Sequence, residues 1–281
     1  MSLPTPLPTI TLTNPDAESL VYLNGAHLAR WHPTGQNDVL FMSAASNFAA
    51  GKAIRGGVPI IFPWFGAREG YPQSPAHGFA RTMPWNVINC DKRPDGACAL
   101  TLELVSSNLT RETWPYDFAL RFTIAAEKTL TMTLTVTNTG AVPFRFEEAL
   151  HTYLAIGDIR NASITGLAGV TYIDKVDGFK RKQQGPEPIV ITGETDRVYL
   201  ATQAECTVND PVWGRKIVVA KENSDATVVW NPWIAKAKAM GDFGDDEWPG
   251  MVCVETCNVA DHAVTLEPGK THAMTARIEV R

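Results

Sequence analysis

Several stretches of the sequence hold reactive side chains that little in their surroundings explains. In SPAHGFARTMPW, residues 74–85, His77 stands four residues before Arg81. The residues between them, Gly78, Phe79 and Ala80, offer no side-chain charge or hydrogen bond. One reading is a loop entering a strand with a solvated arginine; the other is half of a site for a polar, anionic ligand. In GMVCVETCNV, residues 250–259, Glu255 shares a strand face with Met251, Cys253, Cys257 and Val259, while Val252, Val254 and Thr256 occupy the other. A strand that is apolar on both faces is internal. An unpaired carboxylate inside it is costly, so Glu255 is hydrogen-bonded, tied to a buried arginine, or functional. Desolvation raises the pKa of such a carboxyl and suits it to general-base work.

FRFEEALHTYLAIGDI, residues 144–159, alternates so that His151 shares a face with Arg145, Glu147 and Tyr153, opposite Phe144, Phe146, Leu150 and Leu154. By residue type this polar face belongs in water; the alternative is that it lines a wide groove between curved sheets. In KAIRGGVPIIFPWFG, residues 52–66, Arg55 precedes Gly56 and Gly57. The two glycines allow a sharp turn or a close approach of backbone to ligand. Pro59 and Pro63 stiffen the loop, and Trp64 and Phe65 give it an aromatic wall. Arginine forks match phosphate oxygens, so Arg55 and Arg81 are compatible with a phosphate clamp. No nucleotide-type phosphate loop or GxGxxG fingerprint is present.

The elements that must position these residues are strands. TLTMTLTVTNTG, residues 129–140, places Leu130, Met132, Leu134 and Val136 on one face and threonines on the other, the pattern of a half-buried antiparallel strand. Residues 97–107, 120–127, 216–222, 225–231 and 250–259 read as further strands. Turn signals fall at Pro94-Asp95-Gly96, Asn138-Thr139-Gly140, Asn223-Ser224-Asp225 and Pro268-Gly269. Helical periodicity is confined to short pieces. The expectation is an all-β, mainly antiparallel sandwich forming one domain over residues 1–281, with residues 1–10 as a loose Pro-rich arm.

Composition narrows the classes. A chain of 281 residues with 44% hydrophobic and 20% charged residues can bury a full core. A net charge of −5 and a pI near 5.7 argue against a nucleic-acid or anionic-membrane partner. No long apolar run or leader-like N-terminus is seen, which makes the cytoplasm the expected location. Five cysteines, an odd number, fit reduced thiols better than a disulfide framework. Cys253 and Cys257 lie about 13 Å apart if the strand is extended, too far to bridge. No second Cys/His cluster completes a zinc site, so both read as core.

Taken together, GGVPIIFPWFG, AHGFAR, EEALHTYLAIGD, VVWNPWIAKAKAMGDF and CVETCNV, in that order, resemble the hexose-6-phosphate mutarotases of the aldose 1-epimerase superfamily. The likeness runs from about Asp16 to the LEPGK turn. It implies a galactose mutarotase-like β-supersandwich with few short helices, acting on a small hexose phosphate with no metal or organic cofactor. It also implies site roles: Glu255 as the base at the anomeric hydroxyl and His151 as the acid at the ring oxygen. Asp196, in GETDRVY, would hold sugar hydroxyls, His77 would line the same pocket, and Arg55 and Arg81 would bind phosphate. Ala76 departs from the glutamine that some relatives carry before the histidine. Three rivals remain in view. A non-catalytic sugar-binding sandwich can dispense with Glu255 or His151, a glycoside hydrolase needs two carboxylates, and a mutarotase for unphosphorylated sugars needs no arginine pair.

Overall fold

The computed structural model describes residues 6–92 and 98–281; the turn expected at Pro94-Asp95-Gly96 lies outside them. Alternation is the organising rule. In Thr129–Asn138 every second side chain, Leu130 through Val136, is fully buried. The threonines of the other face bond across to the neighbouring strand, as in Thr133–Thr275 at 2.9 Å. This strand is one of eight in a sheet that runs Ser163–Thr165, Cys206–Asp210, Arg215–Glu222, Thr271–Val280, Thr129–Asn138, Phe118–Ala126, Cys98–Val105, Asn86–Lys92. A second sheet of eight runs Lys180–Gln183, Thr171–Asp174, Thr195–Leu200, Ala226–Asn231, Met251–Asn258, Glu148–Leu150, Ile60–Ile61, and Tyr153–Ala155 also pairs with Met251–Asn258. All strand pairs are antiparallel, as expected. A three-stranded sheet and a two-stranded one complete the set. The helices are short, Asn108–Thr113 and Trp233–Ala239. No helix among the described residues is long and apolar enough to cross a membrane.

Two expectations are corrected. Thr9 and Ile10, assigned to a loose arm, pair with Tyr22 and Val21 in the three-stranded sheet. Residues 144–159 do not form one strand. They break into Phe144–Phe146, Glu148–Leu150 and Tyr153–Ala155, because backbone partners outside the ladder claim the links. The Glu147 N–H donates to the Pro63 carbonyl at 2.9 Å and the His151 N–H to the Pro59 carbonyl at 3.0 Å. The expected polar face is therefore split. Arg145 turns to the Ala260 carbonyl, and the Glu147 carboxylate accepts from the Phe65 and Ala260 N–H groups.

The register is unchanged across the second break. Leu150 pairs with Thr256 before it and Tyr153 with Cys253 after it, so His151 falls opposite Glu255. On the other face of the same strand, Asn258 Nδ2 reaches His272 Nε2 at 3.3 Å and Met274 Sδ at 3.6 Å in the other large sheet. That face packs inward, and the face carrying Cys253 and Glu255 turns the opposite way. The polar groove thus lies on the outward face of one sheet, under loops, rather than between two sheets.

A buried polar cluster anchors this arrangement. Glu148 Oε1 accepts from Asn258 Nδ2 at 2.9 Å and lies 2.8 Å from His272 Nε2. The cluster ties the start of the His151 segment to the end of the Glu255 strand and to Thr271–Val280. Burial opposes charge on His272, but the hydrogen bond to Glu148 and its charge outweigh this, leaving the pKa raised above 6.5. A raised folded-state pKa gives stability that is complete below the unfolded value and is lost as pH rises through the folded one. Thermal denaturation should therefore show wild type losing more stability than His272→Gln as pH rises from the usual histidine value of about 6.5. Parallel losses in the two proteins would remove His272 from the account.

Candidate active site

Side chains that pair across strands point to the same face, and the register assembles the floor of the site. Asp196 pairs with Trp230, Trp230 with Cys253, and Cys253 with Tyr153, a row across the sheet. Glu255, two residues beyond Cys253, lies on the same face. Over this floor is a cleft of about 360 Å³ lined by Arg55, Phe65, Ala76, His77, Arg81, His151, Tyr153, Lys175, Asp196, Trp230, Lys236 and Glu255, among others. A larger depression of about 650 Å³ lies at the Asp210–Arg215 hairpin, but its buried charges are committed internally. Asp210 accepts from the Gly157 and Trp213 N–H groups, and Arg215 donates to the carbonyls of Asn37, Asp38 and Ala155.

His151 Nε2 stands 3.3 Å from Glu255 Oε1, and the Glu255 side chain is 1% exposed. The imidazole stacks on Tyr153, with ring centroids 4.9 Å apart, and meets the edge of Trp230. Burial pushes the Glu255 carboxyl well above its usual range; Asp196 adds to the rise, while Lys175 and Arg81 oppose it. Burial pushes His151 well below 6.5, assisted by His77, Arg55 and Arg81. His151 Nδ1 and Glu255 Oε2 are buried without a protein partner.

The AHGFAR loop is fixed through its backbone. Gly78 has φ +69, and a Cβ there would fall onto the Phe62 carbonyl, so only glycine fits. His77 adopts φ +65, an uncommon state for a residue with a side chain. Gly66 holds it there: the His77 N–H donates to the Gly66 carbonyl at 2.7 Å, and His77 Nδ1 accepts from the Gly66 N–H at 3.3 Å. That second bond leaves the ring proton on Nε2. Burial, with Arg81, Lys175 and Arg55, holds His77 neutral. Arg81 is the middle residue of a short helical turn, Ala80–Thr82, and donates to the Ala76 carbonyl at 2.9 Å. Arg55 donates to Tyr153 Oη at 2.9 Å and to Asp242 at 3.0 Å. Both arginines keep a buried Nε–H without a protein acceptor.

The structure therefore brings together Arg55, Phe65, His77, Arg81, His151, Asp196 and Glu255, as the sequence indicated. Trp64 is the exception. Its indole donates to the Pro75 carbonyl at 2.9 Å and its ring packs on Phe79 and under Arg68, away from the cleft. Adjacent residues in an extended loop point opposite ways, so only one of Trp64 and Phe65 can be the wall. Sequence reasoning gave no role to Lys175, Trp230, Lys236 and Asp242, although the last three lie within the VVWNPWIAKAKAMGDF stretch. Cys253 is fully buried, as expected of a core residue. Its thiol nevertheless joins His151 and Glu255 in a group whose donor atoms all lie within 4.8 Å of one another.

An imidazole and a carboxylate stand opposed in a polar cleft on the outward face of a large antiparallel sandwich, an arrangement suited to acid–base chemistry on a small polar ligand. Comparison with known proteins agrees. The family described as Aldose 1-epimerase matches residues 8–279, and the chain belongs to it. An Escherichia coli protein named "Putative glucose-6-phosphate 1-epimerase" is 38% identical over 278 residues, 98% of this chain and 92% of that one. A protein of the same name from Cenchrus ciliaris is 35% identical over 258 residues, 89% of this chain and 77% of that one. The crystal structure of a "putative mutarotase" from Salmonella typhimurium superposes with a TM-score of 0.91 at 36% identity, over 98% of this chain and 90% of that one. The fold extends to a galactose mutarotase-like protein from Lactobacillus casei, with a TM-score of 0.76 at 16% identity.

Lys175 has a definable effect in this site. Its ammonium lies 2.8 Å from Asp196 Oδ2 and 5.1 Å over the Phe65 ring. It holds Asp196 in place and also opposes the rise in the Glu255 pKa. Lys175→Met should let that pKa climb further, so the alkaline limb of the kcat profile should move to higher pH. KM should rise as well, because Asp196 loses its anchor. An unmoved alkaline limb would leave Lys175 a merely structural cation.

Proposed function

We propose that this chain interconverts the α and β anomers of an aldohexose 6-phosphate, glucose 6-phosphate first. One observation carries the phosphate: Arg55 and Arg81 line the cleft, and each keeps a buried Nε–H that no protein group accepts. Buried donors without acceptors are costly, and a phosphate dianion supplies acceptors of matching geometry. Arg55 is half-neutralised by Asp242, while Arg81 and the exposed Lys236 make no ion pair among the described residues. The net charge at that end of the cleft is positive. The names of the relatives point to the same substrate, and a dianionic sugar fits a cytoplasmic enzyme.

Mutarotation opens the ring by taking the proton from O1, breaking the bond from C1 to the ring oxygen, and protonating that oxygen. Rotation about C1–C2 and closure in reverse give the other anomer. Glu255 takes the O1 proton and His151 delivers one to the ring oxygen; on closure the roles reverse. His77, neutral with its proton on Nε2, donates to a sugar oxygen, and Asp196 accepts from hydroxyls. Each acid–base group of this kind contributes ~10²–10⁴-fold.

The pair works while it holds one proton. Burial raises Glu255 well above 4.5 and lowers His151 well below 6.5. The one-proton form therefore extends from an acid limb below the usual histidine value to an alkaline limb above the usual carboxylate range, and both limbs belong to the pair. We expect kcat to fall at both ends of this range. It is the parameter to follow, because the substrate phosphate titrates near ~6 and enters kcat/KM. Glu255→Gln should lower kcat by at least ~10²-fold with little change in KM. Turnover near wild type in that variant would overturn the assignment.

The phosphate clamp has its own measurement, the ratio of kcat/KM for glucose 6-phosphate to that for glucose, read from anomer exchange by NMR saturation transfer. A hydrogen bond to a charged group is worth roughly 1.5–3 kcal/mol, so Arg81→Ala should reduce the ratio by roughly 10- to 150-fold, mostly through KM. Lysine at the same position should rescue it in part, restoring charge without the fork. A ratio near one in wild type, or one that Arg81→Ala leaves untouched, excludes a phosphate role for Arg81.

A further inference from the structure

We propose that Cys253, His151 and Glu255 together form a binding site for a soft divalent cation, zinc first, and that the bound ion blocks the cleft. The strand geometry brings the three donors together. Cys253 and Glu255 are alternate residues on one face of Met251–Asn258. His151 falls opposite Glu255 and stacks on Tyr153, the partner of Cys253. The donor atoms lie within 4.8 Å of one another, and His151 Nε2 and Glu255 Oε1 are already 3.3 Å apart. Zinc bonds of about 2.0–2.3 Å in tetrahedral geometry place donors roughly 3.3–3.8 Å apart, so closing the set around an ion needs only small side-chain rotations.

The chemistry of the set is selective. An imidazole, a thiolate and a carboxylate are the ligand types that zinc takes, and three protein ligands leave a fourth position for water. Calcium and magnesium require more oxygen ligands than one carboxylate supplies. Glu255 Oε2 is buried without a partner, so the carboxylate can turn toward an ion without breaking another bond. A thiolate and a carboxylate bring two negative charges, and Asp196 lines the same cleft. These offset Arg55, Arg81 and Lys175. Cys253 takes no part in the acid–base reaction, and burial raises its pKa well above 9.0. The ion must therefore displace the thiol proton, and its affinity strengthens as pH rises. An ion on His151 and Glu255 occupies both reactive groups, so zinc and sugar phosphate exclude each other.

The test is binding to the metal-free protein without any sugar, which makes it independent of the substrate assignment. Calorimetric titration with zinc chloride should show one saturable equivalent. Cadmium should add an ultraviolet thiolate-to-metal charge-transfer band, and magnesium should displace neither. Cys253→Ser and Cys253→Ala should weaken zinc binding by at least ~10-fold and lose the cadmium band. His151→Asn, far from the thiol in sequence, should weaken zinc binding as well. In activity assays zinc inhibition should be competitive with the sugar phosphate. Absence of a saturable equivalent in wild type overturns the proposal, as does zinc binding undiminished in both Cys253 variants.

Discussion

The cleft depends on one pairing: the antiparallel register between Met251–Asn258 and the two short strands on either side of His151. The break between those strands releases the His151 N–H to the Pro59 carbonyl, so the histidine leaves the ladder without shifting it. A shift of one residue would send every side chain beyond the break to the opposite face. Register therefore decides whether the imidazole meets the Glu255 carboxylate or the hydrophobic interior. The same pairing is responsible for the electrostatics. Met251–Asn258 is buried along its whole length, and burial is the largest cause of both the raised Glu255 and the lowered His151 pKa. Position and reactivity thus have a single source.

The loops answer a different demand. A strand floor can present groups at fixed spacing, but an anion needs donors converging from several directions. Those come from segments pinned to the sheet by backbone contacts. The Arg55 loop turns at Gly56, where φ is +110 and a Cβ would strike the Phe41 carbonyl. The His77–Arg81 loop turns at Gly78 against Phe62. Tight backbone packing gives these loops the definition that irregular segments otherwise lack. Lys175 and Asp196 belong to neighbouring chain segments, and the Lys175 N–H donates to the Asp196 carbonyl, so their side-chain ion pair is built on a backbone hydrogen bond.

Much of this was legible in the sequence because alternation is a local property. The burial of Leu130 to Val136 and the two apolar faces around Glu255 follow from period two alone. The sequence singled out seven of the cleft residues, five of them within the ordered motifs and Arg55 and Asp196 beside them. What stayed hidden was set by contacts distant in sequence. Residues 144–159 alternate well enough to be one strand, and only the carbonyls of Pro59 and Pro63 show why they are three. Trp64 and Phe65 are equivalent as aromatic loop residues until the Pro75 carbonyl claims the indole. Lys175 and Lys236 carry ordinary surface composition and acquire meaning through the strands they adjoin. Cys253 read correctly as a core residue, but its neighbour His151 is about a hundred positions away and comes to it by strand pairing.

A fully buried acid–base pair is an expensive arrangement for most reactions, since one group must lose a proton to water while the other gains one. Anomer exchange removes that requirement. Each turnover takes one proton from O1, delivers one to the ring oxygen, and reverses the transfer on closure, so the pair ends as it began. A pair holding one proton, as neutral acid and neutral imidazole, is also the charge state that burial tolerates best. On the proposed mechanism the charged form is reached by passing that proton across the 3.3 Å His151–Glu255 contact, and Arg81 and Lys175 favour the carboxylate when it forms. No path for protons to solvent is needed. An interior strand is therefore a suitable place for this chemistry, and the desolvation that would disable a hydrolase base helps keep the proton within the pair.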